Sequence, residues 1–451
     1  MAILMIIIFV LGYVVIALEH PLKINKSATA LLLGVLIWVI YMFGGESILS
    51  FTDNKENFSL FLNSNPTAHF YDFISHNQLL EHLGEISEIL FFLLGAMTIV
   101  ELVDKHEGFR IITDKITTTN KRKLLWIIAF ITFFLSAVLD NLTTSIVMIA
   151  LLRKLIVNKE DRWFFGGMVI LAANSGGAWS PIGDITTIML WIGGQITSIN
   201  IILKIFIPSL ISMIVPLAFI SLSMKGEIPK IEKEINNDRL EKKLQTQRNF
   251  MFFMGIGALL FVSIFKTLTH LPPYLGMLFG LSILWITTEL LHKNKSIKNR
   301  NFYSVSGVLQ KIDTPSILFF LGILIAVAGL QSAGHLRMLS VYLDQNIGNF
   351  YIVNLIIGTL SAIVDNVPLV AGAMGMYDLA IYPVDHAFWE FLAYCAGTGG
   401  SMLIIGSAAG VAVMGMEKID FIWYLKKISL WALLGYLSGA LAFYLLNEYL
   451  Y

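Results

Sequence analysis

Leu135-Ser-Ala-Val-Leu-Asp140-Asn141 returns 225 residues later as Leu360-Ser-Ala-Ile-Val-Asp365-Asn366. Both copies lie in long apolar segments, and each ends on a carboxylate followed by an amide. An ionisable side chain at bilayer depth costs about 2.5–3.5 kcal/mol on insertion scales, so it indicates a functional site. Its duplication in matching halves of one chain is typical of a transporter built from internal repeats.

The composition indicates an all-α polytopic membrane protein. Of the 451 residues, 56% are hydrophobic and 14% are charged, and the mean hydropathy is +0.75. Apolar runs of about 20 residues, long enough to cross a bilayer as helices, fill most of the chain. The net charge of zero gives no sign of a nucleic-acid partner, and no soluble partner is inferred. The apolar composition makes the lipid bilayer the expected partner. The single cysteine, Cys395, excludes an internal disulfide and a multi-cysteine metal site.

The apolar runs predict the same order of elements in each half of the chain: three helices, a helical hairpin, a broken helix and a last helix. In the first half the runs lie at about 2–18, 28–45, 86–103, 123–139 with 145–157, 164–174 with 184–192, and 199–223. In the second half they lie at about 249–267, 274–291, 311–333, 350–364 with 367–380, 387–397 with 403–416, and 422–448. The run 2–18 lacks the basic start and cleavage site of a signal peptide, so we expect a retained first helix.

These runs predict a first repeat over 1–224, a cytoplasmic linker over 225–248 and a second repeat over 249–451. The basic residues predict the orientation. Placing loops 19–27, 104–123, 153–162, 224–248, 292–311 and 417–427 on one side leaves only Lys55, Lys204, Lys266 and Arg337 of the 31 lysines and arginines elsewhere. That side is cytoplasmic by the positive-inside rule, so both termini are predicted to lie outside.

Span parity predicts that the two repeats are inverted. Each half crosses the membrane an odd number of times, whether its hairpin enters and leaves on one side or spans fully. The hairpin 123–157 is therefore expected to open to the cytoplasm, and the hairpin 350–380 to the outside. The broken helices are expected over 164–192 and 387–416.

Polar residues gather at the hairpin tips and helix breaks. The first break has the sequence Asn174-Ser-Gly-Gly-Ala-Trp-Ser-Pro181-Ile-Gly183-Asp184, and its partner, offset by 223, has Gly397-Thr-Gly399-Gly400-Ser401-Met-Leu-Ile-Ile-Gly406-Ser407. Unwound backbone at membrane depth occurs where it lines a cavity or is buried in protein. Its free carbonyls suit sodium, a hard cation that prefers oxygen ligands.

Asp184 distinguishes the first break from the second, where Ser407 takes its place. Burial favours the protonated form of a carboxyl group, whereas a bound cation favours the ionised form. One aspartate can therefore hold a proton or sodium but not both, which is the simplest physical basis for exchange. No cofactor is expected; the predicted cargo is Na⁺ or Li⁺ together with H⁺.

Each of these features also has a structural interpretation. Aspartate, asparagine and threonine are common N-caps, so Asp140 and Asp365 could serve to cap the helices that follow. A neutral cap would do this without the charge penalty, so we expect function with capping as a second role. The glycine pairs could be close-packing sites. His106 and His292 are expected in solvated cytoplasmic loops.

At these residues the chain resembles the NhaD-type sodium/proton antiporters of the ion transporter superfamily. The matching stretches are LSAVLDNLTTSIVM, ANSGGAWSPIGDITTIMLW, LSAIVDNVPL and GTGGSMLIIGSAAGVAVMG, and the similar layout covers nearly the whole chain. The resemblance implies efflux of sodium or lithium in exchange for protons across a bacterial cytoplasmic (inner) membrane, supporting salt and alkali tolerance. It also implies a homodimer in which a transport domain moves against a scaffold by an elevator.

The resemblance places an ion site at the hairpin tips and helix breaks. The implied cation- and proton-binding residues, with the polar neighbours we add from the same segments, are Asp140, Asn141, Thr143, Thr144, Asn174, Ser175, Gly176, Asp184, Asp365, Asn366, Thr398 and Gly399. Sodium is expected at Asp140, Asn141, Ser175 and Asp184. Pro368 stands where the first half has Thr143, so the second tip offers fewer side-chain oxygens.

Other functions remain open from the sequence. A dicarboxylate, citrate or arsenite carrier of the same superfamily would be expected to offer amides and hydroxyls rather than three carboxylates. An intramembrane aspartyl protease would pair a Tyr-Asp, such as Tyr71-Asp72, with Gly-x-Gly-Asp, but Pro181 replaces the first glycine of that motif. A passive sodium channel is disfavoured because inverted repeats suit alternating access.

Overall fold

The computed structural model describes residues 1–45, 48, 54–113, 116, 118–228, 238–293 and 303–450. These residues are predominantly helical and contain no β-strand, only an isolated bridge between Asn120 and Glu227. In chain order, the helices that build the fold are α1 (Ala2–Ala17), α2 (Lys26–Gly44), α3 (Leu80–Lys105), α4 (Lys121–Leu139), α5 (Asn141–Leu155), α6 (Lys159–Ala178), α7 (Ile185–Ile192), α8 (Ser198–Ser223), α9 (Asp238–Thr269), α10 (Pro273–His292), α11 (Thr314–Ser332), α12 (His335–Asn346), α13 (Phe350–Leu360), α14 (Asn366–Met376), α15 (Ala387–Gly399), α16 (Ala408–Glu417) and α17 (Ser429–Tyr449). Shorter helical segments lie at Glu19–Leu22, Asn54–Ser64, Phe70–Asp72, Arg110–Thr113, Val305–Leu309 and Phe421–Lys427, and Phe73–Leu79 is a π-helix.

Eight helical stretches of the described chain are long and apolar enough to cross a membrane. They are Lys26–Gly44, Phe70–Lys105, Lys121–Leu139, Ser198–Ser223, Leu244–Thr269, Pro273–His292, Thr314–Ser332 and Ser429–Tyr449. The prediction of an all-α polytopic membrane protein is confirmed.

Two polar segments are more helical than the sequence predicts. α9 begins at Asp238, inside the segment predicted as a linker. The helix Asn54–Ser64 and the start of α3 lie between the apolar runs predicted at 28–45 and 86–103. Hydropathy detects the apolar surface that a helix offers to lipid, not helix formation itself. Polar helical turns outside an apolar run therefore escape such a prediction.

One compact unit comprises Met1–Leu90, Asp313–Val353 and Val367–Pro383. Its centre is the close pairing of α2 with α11. A Cβ atom on Gly34 would lie 2.7 Å from the carbonyl oxygen of Gly322, so the two backbones touch without intervening side chains. The Trp38 indole nitrogen donates to the Ile325 carbonyl at 2.9 Å, which fixes the pair further.

A second compact unit comprises Phe91–Ile312, Asn354–Asn366 and Val384–Tyr451. It holds the first predicted hairpin as α4 and α5, separated only by Asp140. It also holds both broken helices, as α6 with α7 and α15 with α16. Within it α4 packs on α6, α5 packs on α16, and α8 packs on α17.

Equivalent contacts recur at the two breaks of this second unit. The Ser136 hydroxyl donates to the Ala173 carbonyl at 2.6 Å, and Ser361, 225 residues later, donates to the Ala396 carbonyl at 2.9 Å. A Cβ atom on Gly183 would lie 2.8 Å from the Ser136 carbonyl oxygen. On Gly406 it would lie 2.7 Å from the Ser361 carbonyl oxygen. These matched contacts support the duplication, while the inverted orientation of the repeats stays a prediction.

Candidate functional site

The first helix break buries Asp184. α6 ends at Ala178, α7 begins at Ile185, and glycine at position 177 lets the backbone before the break approach the Gly183 carbonyl closely. The Asp184 side chain is 1% exposed. One of its oxygens, Oδ1, accepts from the Thr186 backbone amide at 3.1 Å and so caps α7.

The amides of both hairpin tips donate to the Asp184 carboxylate. Asn141, the first residue of α5, donates through Nδ2 to Oδ2 at 3.0 Å. Asn366, the first residue of α14, donates through Nδ2 to Oδ2 at 3.2 Å and to Oδ1 at 3.3 Å. The repeated Asp-Asn motif therefore meets the unrepeated aspartate in one buried cluster.

Asn174 connects this cluster to the second break. Its Oδ1 accepts from Asn141 Nδ2 at 3.1 Å, and its own Nδ2 donates to the hydroxyls of Ser401 and Ser407, each at 2.9 Å. Ser407 also caps α16 by accepting from the Gly410 amide at 3.1 Å. Asp184 and Ser407 thus occupy equivalent cap positions, and only the first carries a charge.

Asp140 acts as the cap of α5. Its Oδ1 accepts from the Thr143 backbone amide and its Oδ2 from the Thr143 hydroxyl, both at 2.8 Å. Its backbone has φ +80° and ψ 160°, a region that costs a non-glycine residue about 1–3 kcal/mol. The predicted capping role of Asp140 is confirmed. Asp140 and Asp365, which is half-buried, are both close enough to act electrostatically on Asp184.

Two hydroxyl groups of the first hairpin are buried without a hydrogen-bond partner among the described residues. They are Thr144 Oγ1 and Ser145 Oγ on α5. An unsatisfied buried hydroxyl costs about 1–3 kcal/mol. Oxygen atoms left without donors are suitable ligands for a hard cation such as sodium.

The remaining predicted site residues make packing contacts and hydrogen bonds with neighbouring helices or within their own helix. The Ser175 and Ser212 hydroxyls lie 3.1 Å apart, and Thr398 Oγ1 donates to the Tyr394 carbonyl at 2.6 Å within its own helix. Gly176 and Gly399 face the backbone carbonyls of Phe133 and Gly358, where a Cβ atom would overlap them. Ion binding by these four residues stays a prediction.

Thr186, Ser401 and Ser407 belong to this cluster although they are not among the residues predicted from the sequence. The offset of 223 residues already pairs Ser407 with Asp184, so this hydroxyl could have been found by treating the repeat as a template. The contact of Asn174 with Ser401 joins residues 227 apart in sequence, and nothing in the local pattern predicts it.

The chain is similar to known membrane transporters over most of its length. A family model described as citrate transporter matches residues 3–390. Sodium/proton antiporter 1 of Arabidopsis thaliana is 48% identical over 439 residues, which cover 97% of this chain and 71% of the relative. Sodium/proton antiporter 2 of the same plant is 44% identical over 445 residues, or 99% of this chain and 100% of the relative.

The chain belongs to the NhaD-type sodium/proton antiporters of the citrate transporter family. The Na⁺/H⁺ antiporter NhaD of Vibrio cholerae is 29% identical over 471 residues, which cover 98% of this chain and 91% of that antiporter. The predicted family is confirmed, and with it a secondary transporter rather than an enzyme. The aspartyl protease alternative is set aside, because NhaD-type proteins are named as antiporters.

Proposed function

We propose that Asp184 is the residue at which this antiporter exchanges Na⁺ or Li⁺ for H⁺. The observation that carries the proposal is its buried carboxylate, held by the amides of both hairpin tips. Its hydrogen-bond donors are neutral, so they orient the carboxylate without cancelling its charge. The charge remains available for either a proton or a sodium ion.

The exchange follows from competition at one carboxylate. A proton on Asp184 removes the negative charge that attracts sodium, and sodium bound there opposes protonation. The unpartnered hydroxyls of Thr144 and Ser145 supply further oxygen ligands close in sequence to Asn141, and the Thr186 hydroxyl lies beside the Asp184 carboxylate. Asp140 and Asp365 add negative potential, which favours a cation over an anion.

The transport cycle is proposed as alternating access. At high cytoplasmic pH the ionised site binds sodium from the cytoplasm, and external protons then displace the ion on the outer side. We propose a bacterial cytoplasmic membrane as the location, as the family resemblance implies. The distribution of lysine and arginine supports an orientation with both termini outside. A homodimer with an elevator motion is proposed from the family resemblance.

The decisive experiment measures cation-dependent proton flux in everted vesicles with sodium, lithium and potassium. Asp184→Asn keeps a capping oxygen but cannot be ionised, so we expect flux to fall to the vesicle background. Asp420→Asn is the matched control, because Asp420 caps the short helix Phe421–Lys427 by accepting from Trp423 and lies at an exposed site. The control is expected to keep wild-type flux.

Sodium-dependent flux in Asp184→Asn equal to that of the wild type would remove Asp184 from the mechanism. Citrate uptake by the wild type without any alkali-cation-dependent proton flux would instead overturn cation exchange, and would favour the anion carriers for which the family model is named.

A further inference from the structure

Glu390 is a second fully buried carboxylate in the unit that contains Asp184, and it lies outside the site described above. It occupies the first turn of α15 and is 0% exposed. One oxygen, Oε1, accepts from the Asn200 side chain near the start of α8, while Oε2 has no hydrogen-bond partner among the described residues. A carboxyl group in this position is unsatisfied when ionised and also when protonated.

The charged groups around Glu390 come from both helices that begin here. Lys204, one turn after Asn200 on α8, and Asp385, just before α15, act on it electrostatically. Asp385 itself accepts from the Thr197 hydroxyl at 2.8 Å. His386, the other titratable group of this turn, caps α15 by accepting from the Phe388 amide at 3.1 Å. A lysine opposed by two carboxylates leaves the local charge dependent on whether Glu390 carries a proton.

Packing of the repeat does not account for Glu390. With the offset of 223, its equivalent in the first repeat is Gly167, which packs against the side chain of Ile428. A first-turn glutamate also stabilises the positive end of a helix, but an exposed side chain does this without burial. The second repeat therefore has a buried carboxyl group at a position where the packing shared by the two repeats does not require one.

Glu390 lies on the face of α15 that reaches Asp184. Gly397 is seven residues further along, so it lies two turns away on the same face, about 10 Å along the helix axis. A Cβ atom on Gly397 would lie 3.6 Å from Asp184 Oδ2. One helix face thus connects the end at which α8 and α15 begin with the exchange site.

We propose that Glu390 is a second proton-binding residue of the exchange cycle, loaded from the end of the unit at which α8 and α15 begin. In the proposed orientation this end faces outside, where protons enter. The proton forms one O–H bond on Glu390 and leaves Lys204 charged. The inference rests on the proposed function, because a second proton matters only to a protein that exchanges protons for sodium.

The test uses purified full-length protein in proteoliposomes. With a fixed sodium gradient, the proton gradient at which net flux vanishes gives the number of protons exchanged per sodium ion. Glu390→Gln keeps the oxygen that accepts from Asn200 but cannot bind this proton, so we expect the ratio to fall by one. Glu390→Asp, which restores a carboxyl group, should recover the wild-type ratio.

Glu160→Gln is the matched control, because Glu160 also lies in the first turn of a helix, α6, but is exposed. It should keep the wild-type ratio. A wild-type ratio in Glu390→Gln would overturn the inference while leaving exchange at Asp184 intact. Absence of sodium-dependent proton flux in the wild type would instead count against the proposed function.

A second variant covers the case in which Glu390→Gln fails to fold. Lys204→Met removes the cation that favours the ionised carboxylate, so Glu390 should take up its proton at lower proton concentration. We expect the half-maximal external pH of exchange to move upward by roughly one unit, with the ratio of protons to sodium unchanged. An unshifted external pH dependence in folded Lys204→Met would contradict the proposal.

Discussion

Asp184 and Glu417 are both buried carboxylates of the same unit, but their partners differ in charge. Glu417 is 4% exposed and accepts from the guanidinium groups of Arg153 at 2.7 Å and Arg162 at 2.9 Å. These cations compensate its charge. They also link the end of α5 and the start of α6 to the end of α16. Asp184 accepts from neutral amides instead. At the scale of single residues, the charge of the partner separates a structural carboxylate from one that can bind cargo.

The amide donors of Asp184 lead to a prediction about sodium affinity. Asn366→Ala removes two contacts of 3.2 and 3.3 Å that favour the ionised carboxylate, so protons should compete better with sodium. A hydrogen bond to a charged group contributes about 1.5–3 kcal/mol, so half-saturating sodium should rise roughly tenfold or more. The rise should be larger at acidic than at alkaline pH.

Sodium titrations of proton flux at two pH values check this expectation. Asn346→Ala is the control, because Asn346 is exposed and donates only to the Tyr342 carbonyl of its own helix among its described contacts. An Asn366→Ala variant with wild-type half-saturation at both pH values would show that the second hairpin tip does not tune the exchange site.

At the scale of elements, glycines determine how closely the hairpins approach the breaks. Gly176 on α6 faces the backbone of Phe133 on α4, and Gly399 on α15 faces the backbone of Gly358 on α13. Because the obstructing atoms are backbone atoms, they cannot turn aside as a side chain can. The close-packing interpretation of the glycine pairs therefore holds at Gly176 and Gly399.

Adding one methyl group at either position should destabilise the protein. Overpacking typically costs about 1–3 kcal/mol, so Gly176→Ala and Gly399→Ala should each lower the thermal midpoint of the detergent-solubilised protein. Gly415→Ala is the control, because no atom of the described residues lies within 4 Å of a Cβ atom there and alanine favours a helix. Equal midpoints for all three variants would contradict the packing argument.

The sequence predicts the elements better than their contacts. Glycine marks both breaks, proline marks the first, and the Asp-Asn repeat marks both tips, because these are local properties of the chain. The direction of a side chain beside a break depends on which helix lies opposite, so Ser175 turning to Ser212 was not predictable. The expected solvation of His106 and His292 was wrong for the same reason. Both are buried, and their Nε2 atoms lie 2.9 Å apart although the residues are 186 apart in sequence.

At the scale of the whole molecule, the two repeats share packing contacts, and the proposed proton-binding carboxylates Asp184 and Glu390 lie where their residues differ. The contacts of Ser136 and Ser361 correspond because each hydroxyl donates to a backbone carbonyl of the broken helix in its own repeat. Two of the charges do not recur: Asp184 corresponds to Ser407, and Glu390 corresponds to Gly167. We expect this inequality of the two half-sites to give the proposed site its preference for a cation.

The orientation of the molecule can be tested along one helix, α17. Its 21 residues are about 31 Å long, which matches the hydrocarbon thickness of a bilayer. Lys426 lies just before its start and Tyr449 at its end, and both are exposed. The cytoplasmic bias of lysine and arginine predicts that Tyr449 lies outside and Lys426 inside.

Cysteine labelling distinguishes the two ends. Cys395 is buried, so the wild type should not react with a membrane-impermeant maleimide. In intact cells Tyr449→Cys should be labelled, whereas Lys426→Cys should be labelled only after permeabilisation. The reverse pattern would show that the molecule has the opposite orientation. Glu390 would then receive its proton from the cytoplasmic side. Labelling of both variants in intact cells would mean that α17 does not cross the membrane. The second half would then cross an even number of times, and the prediction of inverted repeats would fail.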